Sequence, residues 1–313
     1  MRTEPETLET IGELGEFGLI ARLTRRLPRG PAVELGPGDD AAVVRAPDGR
    51  TVATTDLLVE GRHFRLDWSG PYDVGRKAAA QNLADVVAMG ARPTVLLIGL
   101  ALPTDTSVEW AERLYDGLAD ECLRAGASVA GGDVVGASEI TIAVTALGDL
   151  GGRPPLTRSG ARPGDVVALR GRIGYSSAGL ALLSGGLEGP AELIEAHRRP
   201  QPPYEAGEEA RALGATALMD VSDGLLQDLG HIASASGVRI EVDSAAMPVA
   251  DVLGPDGLGH ALVGGEDHAF AAAFPAGAAL PPAWTVIGNV TEGDGVAVDG
   301  RLHGGGGWDH FRR

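Results

Sequence analysis

Aspartate recurs in this chain at the points where apolar runs stop. Gly38-Asp39-Asp40-Ala41 follows the short run 33–35, Asp56 closes Thr54-Thr55-Asp56, and Asp133 follows Gly131-Gly132. Asp220 ends the run 217–219 and begins Asp220-Val221-Ser222-Asp223-Gly224-Leu225, while Asp85 falls on a helical face with small neighbours. A carboxylate at the end of a buried strand is costly unless something positive meets it. Lys77 is the only lysine in the protein, so a bound cation is the first candidate for that partner. Each Asp has a plainer reading when taken singly: Asp39 and Asp40 as loop caps, Asp223 as a helix N-cap. Together, Asp40, Asp56, Asp85, Asp133, Asp220 and Asp223 make a pattern. Oxygen donors of this kind suit Mg²⁺, whereas seven scattered His and one Cys offer no zinc cluster. Several magnesium ions shared between carboxylates and phosphate oxygens are what in-line phosphoryl transfer requires, because that catalysis is mostly positioning and charge neutralisation. The residues read as a Mg²⁺-dependent, phosphate-handling enzyme.

Two familiar phosphate motifs are excluded. No G-x-x-x-x-G-K-[ST] accompanies Lys77, so there is no P-loop. Gly36-Pro37-Gly38-Asp39-Asp40-Ala41 fits G-x-G-x-x-A, but a β-like segment follows it and two Asp stand where pyrophosphate would sit, so it is no dinucleotide fingerprint.

The balance of 26 Lys+Arg against 43 Asp+Glu, net −17, argues against nucleic acid or an anionic membrane as partner. It also means that any bound phosphate must be met largely through divalent cations. The single cysteine, Cys122, lies in a helical pattern as a small packed residue and fits a reducing cytoplasm. The first residues lack a signal-peptide apolar core, and the longest apolar run, 95–102, is too short to cross a bilayer.

At 313 residues the chain is expected to make two domains, 1–150 and 151–313. The periodicity predicts a helix from Phe17, strands at 33–35, 94–102, 127–130 and 140–147, and helices over 74–89 and 108–125. Apolar runs at 41–44 and 51–55 read as a hairpin around Pro47-Asp48-Gly49. Strands alternating with helices make the first half α/β. Lys77, Gln81 and Asp85 share one helix face, as a solvated polar stripe or as part of a site. The segment 151–163 reads as the junction and carries Arg158, either a surface arginine or a bidentate phosphate reader. Gly171 to Gly179 leads into a helix N-terminus that could receive an anion. His197-Arg198-Arg199-Pro200 reads as a stiff turn before a helix at 204–213. Further on come strands at 165–169, 217–220 and 238–242 and a helix at 225–235.

The sequence resembles the bacterial thiamine-monophosphate kinases, in the superfamily of aminoimidazole-ribonucleotide synthetase and selenophosphate synthetase. The resemblance is carried by Gly15-Glu16-Phe17-Gly18, Gly38-Asp39-Asp40-Ala41-Ala42, Thr54-Thr55-Asp56 through Arg62-His63-Phe64, and Asn82-Leu83-Ala84-Asp85. It continues through Gly131-Gly132-Asp133, Leu156-Thr157-Arg158-Ser159-Gly160-Ala161, Asp220 to Leu225, Gly264-Gly265-Glu266-Asp267 and Trp308-Asp309-His310-Phe311. It implies a two-domain α/β fold whose N-terminal sheet pairs with that of a second subunit, and an ATP-dependent phosphorylation of thiamine monophosphate to thiamine diphosphate. It further implies that Asp40, Thr54, Thr55, Asp56, Asp85, Asp133, Asp220 and Asp223 hold Mg²⁺ ions. Gly132, Asp133, Arg158 and Ser222 would contact ATP, with Tyr115 a further candidate. His63, Glu266 and Trp308 would contact the thiamine phosphate, Trp308 by stacking and Glu266 by accepting hydrogen bonds from the pyrimidine amino group.

The chain departs from the family pattern in one place: Gly-Gly-Glu-Asp usually continues Tyr-Glu-Leu, and here it reads His268-Ala269-Phe270. Two alternatives stand beside the kinase. A sibling ATP-using synthetase is one, though the N-terminal region lacks the reactive Cys or Sec that selenophosphate synthesis needs. A catalytically degraded metal- or nucleotide-binding protein is the other.

Overall fold

The computed structural model describes residues 9–28, 30–36 and 42–304. In chain order these form α1 (Ile11–Leu14), α2 (Glu16–Thr24), β1 (Val33–Leu35), β2 (Val43–Val44), β3 (Val52–Val59), α3 (Pro71–Ala88), β4 (Arg92–Leu102), α4 (Val108–Ala125), β5 (Ser128–Gly136) and β6 (Thr141–Asp149). Then come β7 (Val166–Arg170), α5 (Tyr175–Gly185), α6 (Ala191–Arg198), α7 (Ala206–Ala212), β8 (Ala217–Val221), α8 (Leu225–Ser236), β9 (Arg239–Val242), α9 (Gly257–Val263), β10 (Ala269–Phe274), β11 (Trp284–Thr291), β12 (Gly295–Val298) and β13 (Arg301–Leu302). They divide into two compact units. One holds the described chain up to Ala46 with Ala53–Asn82 and Pro93–Gly148; the other holds Pro47–Val52, Leu83–Arg92 and the described chain from Asp149 onward. Asp85 is therefore counted with the second unit. No helix among the described residues is long and apolar enough to cross a membrane.

The first unit is built on a four-stranded sheet in the order β3-β6-β4-β5. Parallel β4 and β5 are joined through α4, a βαβ crossover. Helix α4 starts where the Ser107 hydroxyl accepts the Trp110 N–H at 3.1 Å and stops at Gly126, left-handed at φ 71°. Its buried positions Val108, Ala111, Leu114, Leu118 and Cys122 recur at helical spacing and form the stripe that faces the core. The expected hairpin between 41–44 and 51–55 does not form. Instead β2 pairs antiparallel with β1, and β3 joins the larger sheet beside β6. The turn between them closes on itself, the Asp48 carboxylate accepting the Arg50 N–H at 3.0 Å and a guanidinium N–H at 2.7 Å. A two-residue β2 also has too short a ladder to hold an eight-residue β3.

The second unit is built on a seven-stranded sheet in the order β13-β12-β9-β11-β7-β10-β8. β10 runs antiparallel between β7 and β8, with Phe270 opposite both Arg170 and Asp220. The pleat sends alternate residues of β10 to opposite faces. Ala269, Ala271 and Ala273 enter an apolar cluster with Leu225, Leu229 and Ile232 of α8. Phe270, Ala272 and Phe274 enter another with Trp284, α7 and the last turns of α3 (Ala84, Val87, Ala88). Burial of each phenyl ring, fully shielded here, contributes about 1.5–3 kcal/mol. Both faces of the strand are thus covered, which is why its sequence shows no polar alternation.

Candidate active site

In the first unit, the alternation of β3 places Thr54 and Asp56 on one face and Thr55 on the other. The Thr55 hydroxyl donates to the Val144 carbonyl at 3.0 Å and meets the Thr145 hydroxyl at 3.3 Å. The backbone of Asp56 is fixed by Asn82, whose Oδ1 accepts the Asp56 N–H at 3.0 Å while its amide donates to the Ala78 carbonyl at 2.9 Å. Asn82 is fully buried, so these bonds satisfy a side chain that would otherwise be costly there. His63 Nδ1 accepts the Val59 N–H at 2.9 Å, which leaves the ring proton of the neutral imidazole on Nε2.

Lys77 is not part of a solvated stripe. It is 2% exposed, and its Nζ donates to the His63 carbonyl at 3.1 Å, pinning the turn that carries His63. Asp133 lies within β5 opposite Gly99 rather than at a strand end; it is exposed, with Oδ1 accepting the Val134 N–H at 3.0 Å. A Cβ at Gly132 would collide with the Ile98 carbonyl of β4. That glycine therefore serves strand packing next to a register shift at Leu96/Leu97. Tyr115 lies on the buried face of α4 at 5% exposure, where burial pushes its hydroxyl pKa up and leaves the ring no surface to offer a nucleotide.

In the second unit, the structure brings several predicted residues together. Asp220 shares the Phe270 face of the sheet, by register and pleat, and is 3% exposed. Its Oδ2 lies 3.1 Å from His268 Nδ1. Burial lowers the His268 pKa, but the hydrogen bond and charge of Asp220, with the charges of Glu266 and Asp85, outweigh it and raise the value overall. The charges of Asp220, Glu266 and Asp85 thus all act on one imidazole, with Asp220 in direct contact. Ser222 stands beside Glu266, its carbonyl accepting the Glu266 N–H at 2.7 Å. A Cβ at Gly265 would strike that same carbonyl, so the backbone approach needs glycine. Arg158 is exposed, and its carbonyl accepts the Ser236 hydroxyl at 3.2 Å.

The expected N-cap position of Asp223 is taken by Gly224, which caps α8 without a side-chain bond. The buried Asp228 carboxylate reaches back to accept the Ser222 and Asp223 N–H groups at 3.0 and 3.1 Å. Burial, then the negative charges of Asp220 and Asp223, push Asp228 up to about 7. Sequence reasoning missed Asp228, although an acidic residue in the first turn of a predicted helix was the available signal. It also placed His197 on a turn, whereas His197 closes α6. The run Leu193, Ala196, His197 carried that helical spacing. Glu266 and His268 both adopt left-handed backbone, φ 64° and 53°. Asp267 between them is 8% exposed and accepts the N–H groups of Gly174 (2.5 Å) and Ser176 (2.8 Å) at the start of α5. The anion that this helix N-terminus receives is therefore the chain's own carboxylate. Asp40 and Trp308 lie outside the described residues.

Among the described residues no three His, Cys, Asp or Glu side chains converge closely enough to make a preformed metal cage. The donors present nevertheless suit a hard cation. They are carboxylate oxygens, and burial first, then the negative charges of Asp220 and Asp223, push the Asp228 carboxyl toward neutrality.

The AIR synthase related protein family matches this chain in two parts, its N-terminal domain over residues 38–150 and its C-terminal domain over 162–301. A thiamine-monophosphate kinase of Mycobacterium tuberculosis (strain ATCC 25618 / H37Rv) is 50% identical over 321 residues, covering 99% of this chain and 95% of the relative. The crystal structure of thiamine-monophosphate kinase from Stenotrophomonas maltophilia K279a is 33% identical, with TM-score 0.82 over 91% of this chain and 96% of that one. The structure of AaThiL complexed with AMPPCP and TMP is 36% identical, with TM-score 0.80 over 99% of each chain. With both domains matched and half of its residues shared along nearly its full length, the chain belongs to the thiamine-monophosphate kinase family of AIR-synthase-related proteins.

Proposed function

We propose that the chain transfers the γ-phosphoryl group of ATP to thiamine monophosphate, giving thiamine diphosphate and ADP. The observation that carries this reading is the gathering of Asp85, Asp220, Asp223, Ser222 and Glu266 in one unit of a chain whose relatives are thiamine-monophosphate kinases. A relative of known structure holds AMPPCP and TMP together, which supports one nucleotide and one phosphate acceptor as the two substrates. The acceptor is itself a phosphate oxygen, so the reaction needs charge screening and alignment more than a general base.

The carboxylates of Asp56, Asp85, Asp133, Asp220 and Asp223, with Thr54, Thr55 and Asp40, are the proposed holders of Mg²⁺. When bound, the metal supplies neutralisation of phosphate charge on a protein of net −17. The protein's own residues do the rest. Asn82 sets the backbone of Asp56, and Asp228 sets the turn bearing Ser222 and Asp223. Arg158 offers a guanidinium to ATP, alongside Gly132, Asp133 and Ser222. His63 presents Nε2–H toward the thiamine phosphate, Glu266 accepts from its amino group, and Trp308 stacks on its ring.

The same reading makes the protein a cytoplasmic homodimer with neither nucleic acid nor membrane as partner. Support comes from the buried single Cys122 and from the edge strands of the four-stranded sheet, where Leu57 is 56% and Val135 52% exposed. Turnover assays with Mg²⁺-ATP test the function directly. Thiamine monophosphate is expected to release ADP and yield thiamine diphosphate, with free thiamine inert. Turnover of neither would move the chain to a sibling synthetase or a binding protein.

A further inference from the structure

One imidazole joins Glu266 to the interior of the second unit. His197 Nδ1 lies 3.2 Å from the Ser176 hydroxyl and 3.5 Å from Glu266 Oε2. The side chain of His197 is 5% exposed and Ser176 is 1% exposed, whereas the Glu266 side chain is 34% exposed. A buried hydroxyl and a buried imidazole are tolerated where they find partners. Here they find each other, and the chain of contacts ends on a carboxylate that reaches the surface.

Every link of that chain is itself fixed. Ser176 is held by its own N–H, donated to Asp267 Oδ1 at 2.8 Å. His197 closes the last turn of α6, which packs against α5, the helix that carries Ser176. The backbone of Glu266 is held at φ 64° by its N–H bond to the Ser222 carbonyl. Glutamate has three side-chain rotors, and a carboxylate that must recognise an amino group loses that freedom on binding unless it is oriented beforehand.

We infer that His197, set by Ser176, is a positioning residue that orients the Glu266 carboxylate for the thiamine end of the substrate. The inference rests on the proposed reading of Glu266 as a substrate contact. His197 touches neither nucleotide nor reacting phosphate in this scheme, so its effect belongs to recognition of the acceptor. Side-chain preorganisation of this kind is what distinguishes a site residue that is present from one that is correctly aimed.

The test is steady-state kinetics of five variants, with each KM measured separately. His197→Leu is expected to raise the KM for thiamine monophosphate about tenfold while the KM for ATP stays within about twofold, the size expected for one lost polar contact to a carboxylate. His197→Asn places an amide nitrogen near the position of Nδ1 and is expected to recover most of the loss. Glu266→Gln should raise the same KM, and His197→Leu combined with it should be no worse than Glu266→Gln alone, because the two act through one contact. Should His197→Leu not fold, Ser176→Ala removes one hydroxyl and must shift the same KM in the same direction. Equal rises in both KM values, or additive losses in the double variant, would overturn the inference. A raised KM in Glu266→Gln with an unchanged one in His197→Leu overturns it alone, leaving Glu266 at the substrate. An unchanged KM in Glu266→Gln overturns it together with that placement.

Discussion

Asp267→Asn puts a number on the segment that carries Glu266. The Asp267 carboxylate takes two N–H groups at the start of α5, a helix whose own N-cap, Gly174, makes no side-chain bond. An amide at this position can accept one of those N–H groups and turns its NH₂ toward the other. A buried donor left facing a donor costs on the order of 2 kcal/mol. The cost depends on pH. Burial pushes Asp267 from 3.8 up to about 6; the Ser176 and Gly174 N–H groups, and then His268 and Arg172, only partly offset it. Because the folded value lies above the unfolded one, the folded chain keeps a proton that the unfolded chain releases. The stability this contributes is complete below the unfolded value and is lost as pH rises through about 6. Between about pH 5 and about pH 7.5 wild type should lose about 1.4 kcal/mol by this linkage, and Asp267→Asn should not. Urea unfolding of both proteins at the two pH values gives the comparison. The variant should be the less stable at the lower pH, with the gap narrowing at the higher one. A gap that stays constant or widens with pH refutes the account of a strained, buried carboxylate.

Other expectations concern the remaining site residues and the core. Asp56→Asn should abolish turnover while leaving the fold intact by circular dichroism; wild-type turnover would remove Asp56 from the metal-holding set. Asn82→Ala removes the side-chain acceptor of the part-buried Asp56 N–H and should destabilise by about 1 kcal/mol, with a larger fractional loss of activity than a core substitution of equal cost. Phe270→Ala empties a fully buried position on β10, between β7 and β8 of the seven-stranded sheet, and should cost about 3–5 kcal/mol, read from the urea midpoint.

The candidate residues were legible because their types and spacing carry recognisable chemistry. Aspartates at the ends of apolar runs, such as Asp220, had no structural excuse, and the structure buries that side chain against His268. Helix α4 was legible to the residue because a Ser cap, a left-handed Gly and a regular apolar stripe all agree. What stayed hidden depended on contacts between distant parts of the chain. The strand β10 reads as a featureless apolar run, since both its faces are covered. Asp228 holds the N–H groups of Ser222 and Asp223 ahead of α8, and Asp267 takes the N–H groups that sequence offers to an external anion. Lys77 could be read as solvated charge or as part of a site, and only the tertiary fold turns it inward onto the His63 carbonyl. In each case the partner's position, not the residue's own type, decides the role.

The three residues before β10 have a consequence for how the protein is made. Asp267 takes its N–H groups from Gly174 and Ser176, 93 and 91 residues earlier, and His268 meets Asp220, 48 residues earlier. β10 itself lies between β7 and β8, both synthesised well before it. A nascent chain emerging from the ribosome therefore carries Asp220 and the Ser222 carbonyl without the segment that meets them. Until residue 274 has cleared the exit tunnel, β7 and β8 have no strand between them and present open edges to solvent. Long-range pairing of this kind is slow to form, so the burden on chaperones should fall late in translation and on this half of the molecule. Ribosome-bound chains halted just before β10 and well past it should differ sharply in chaperone retention and in protease resistance.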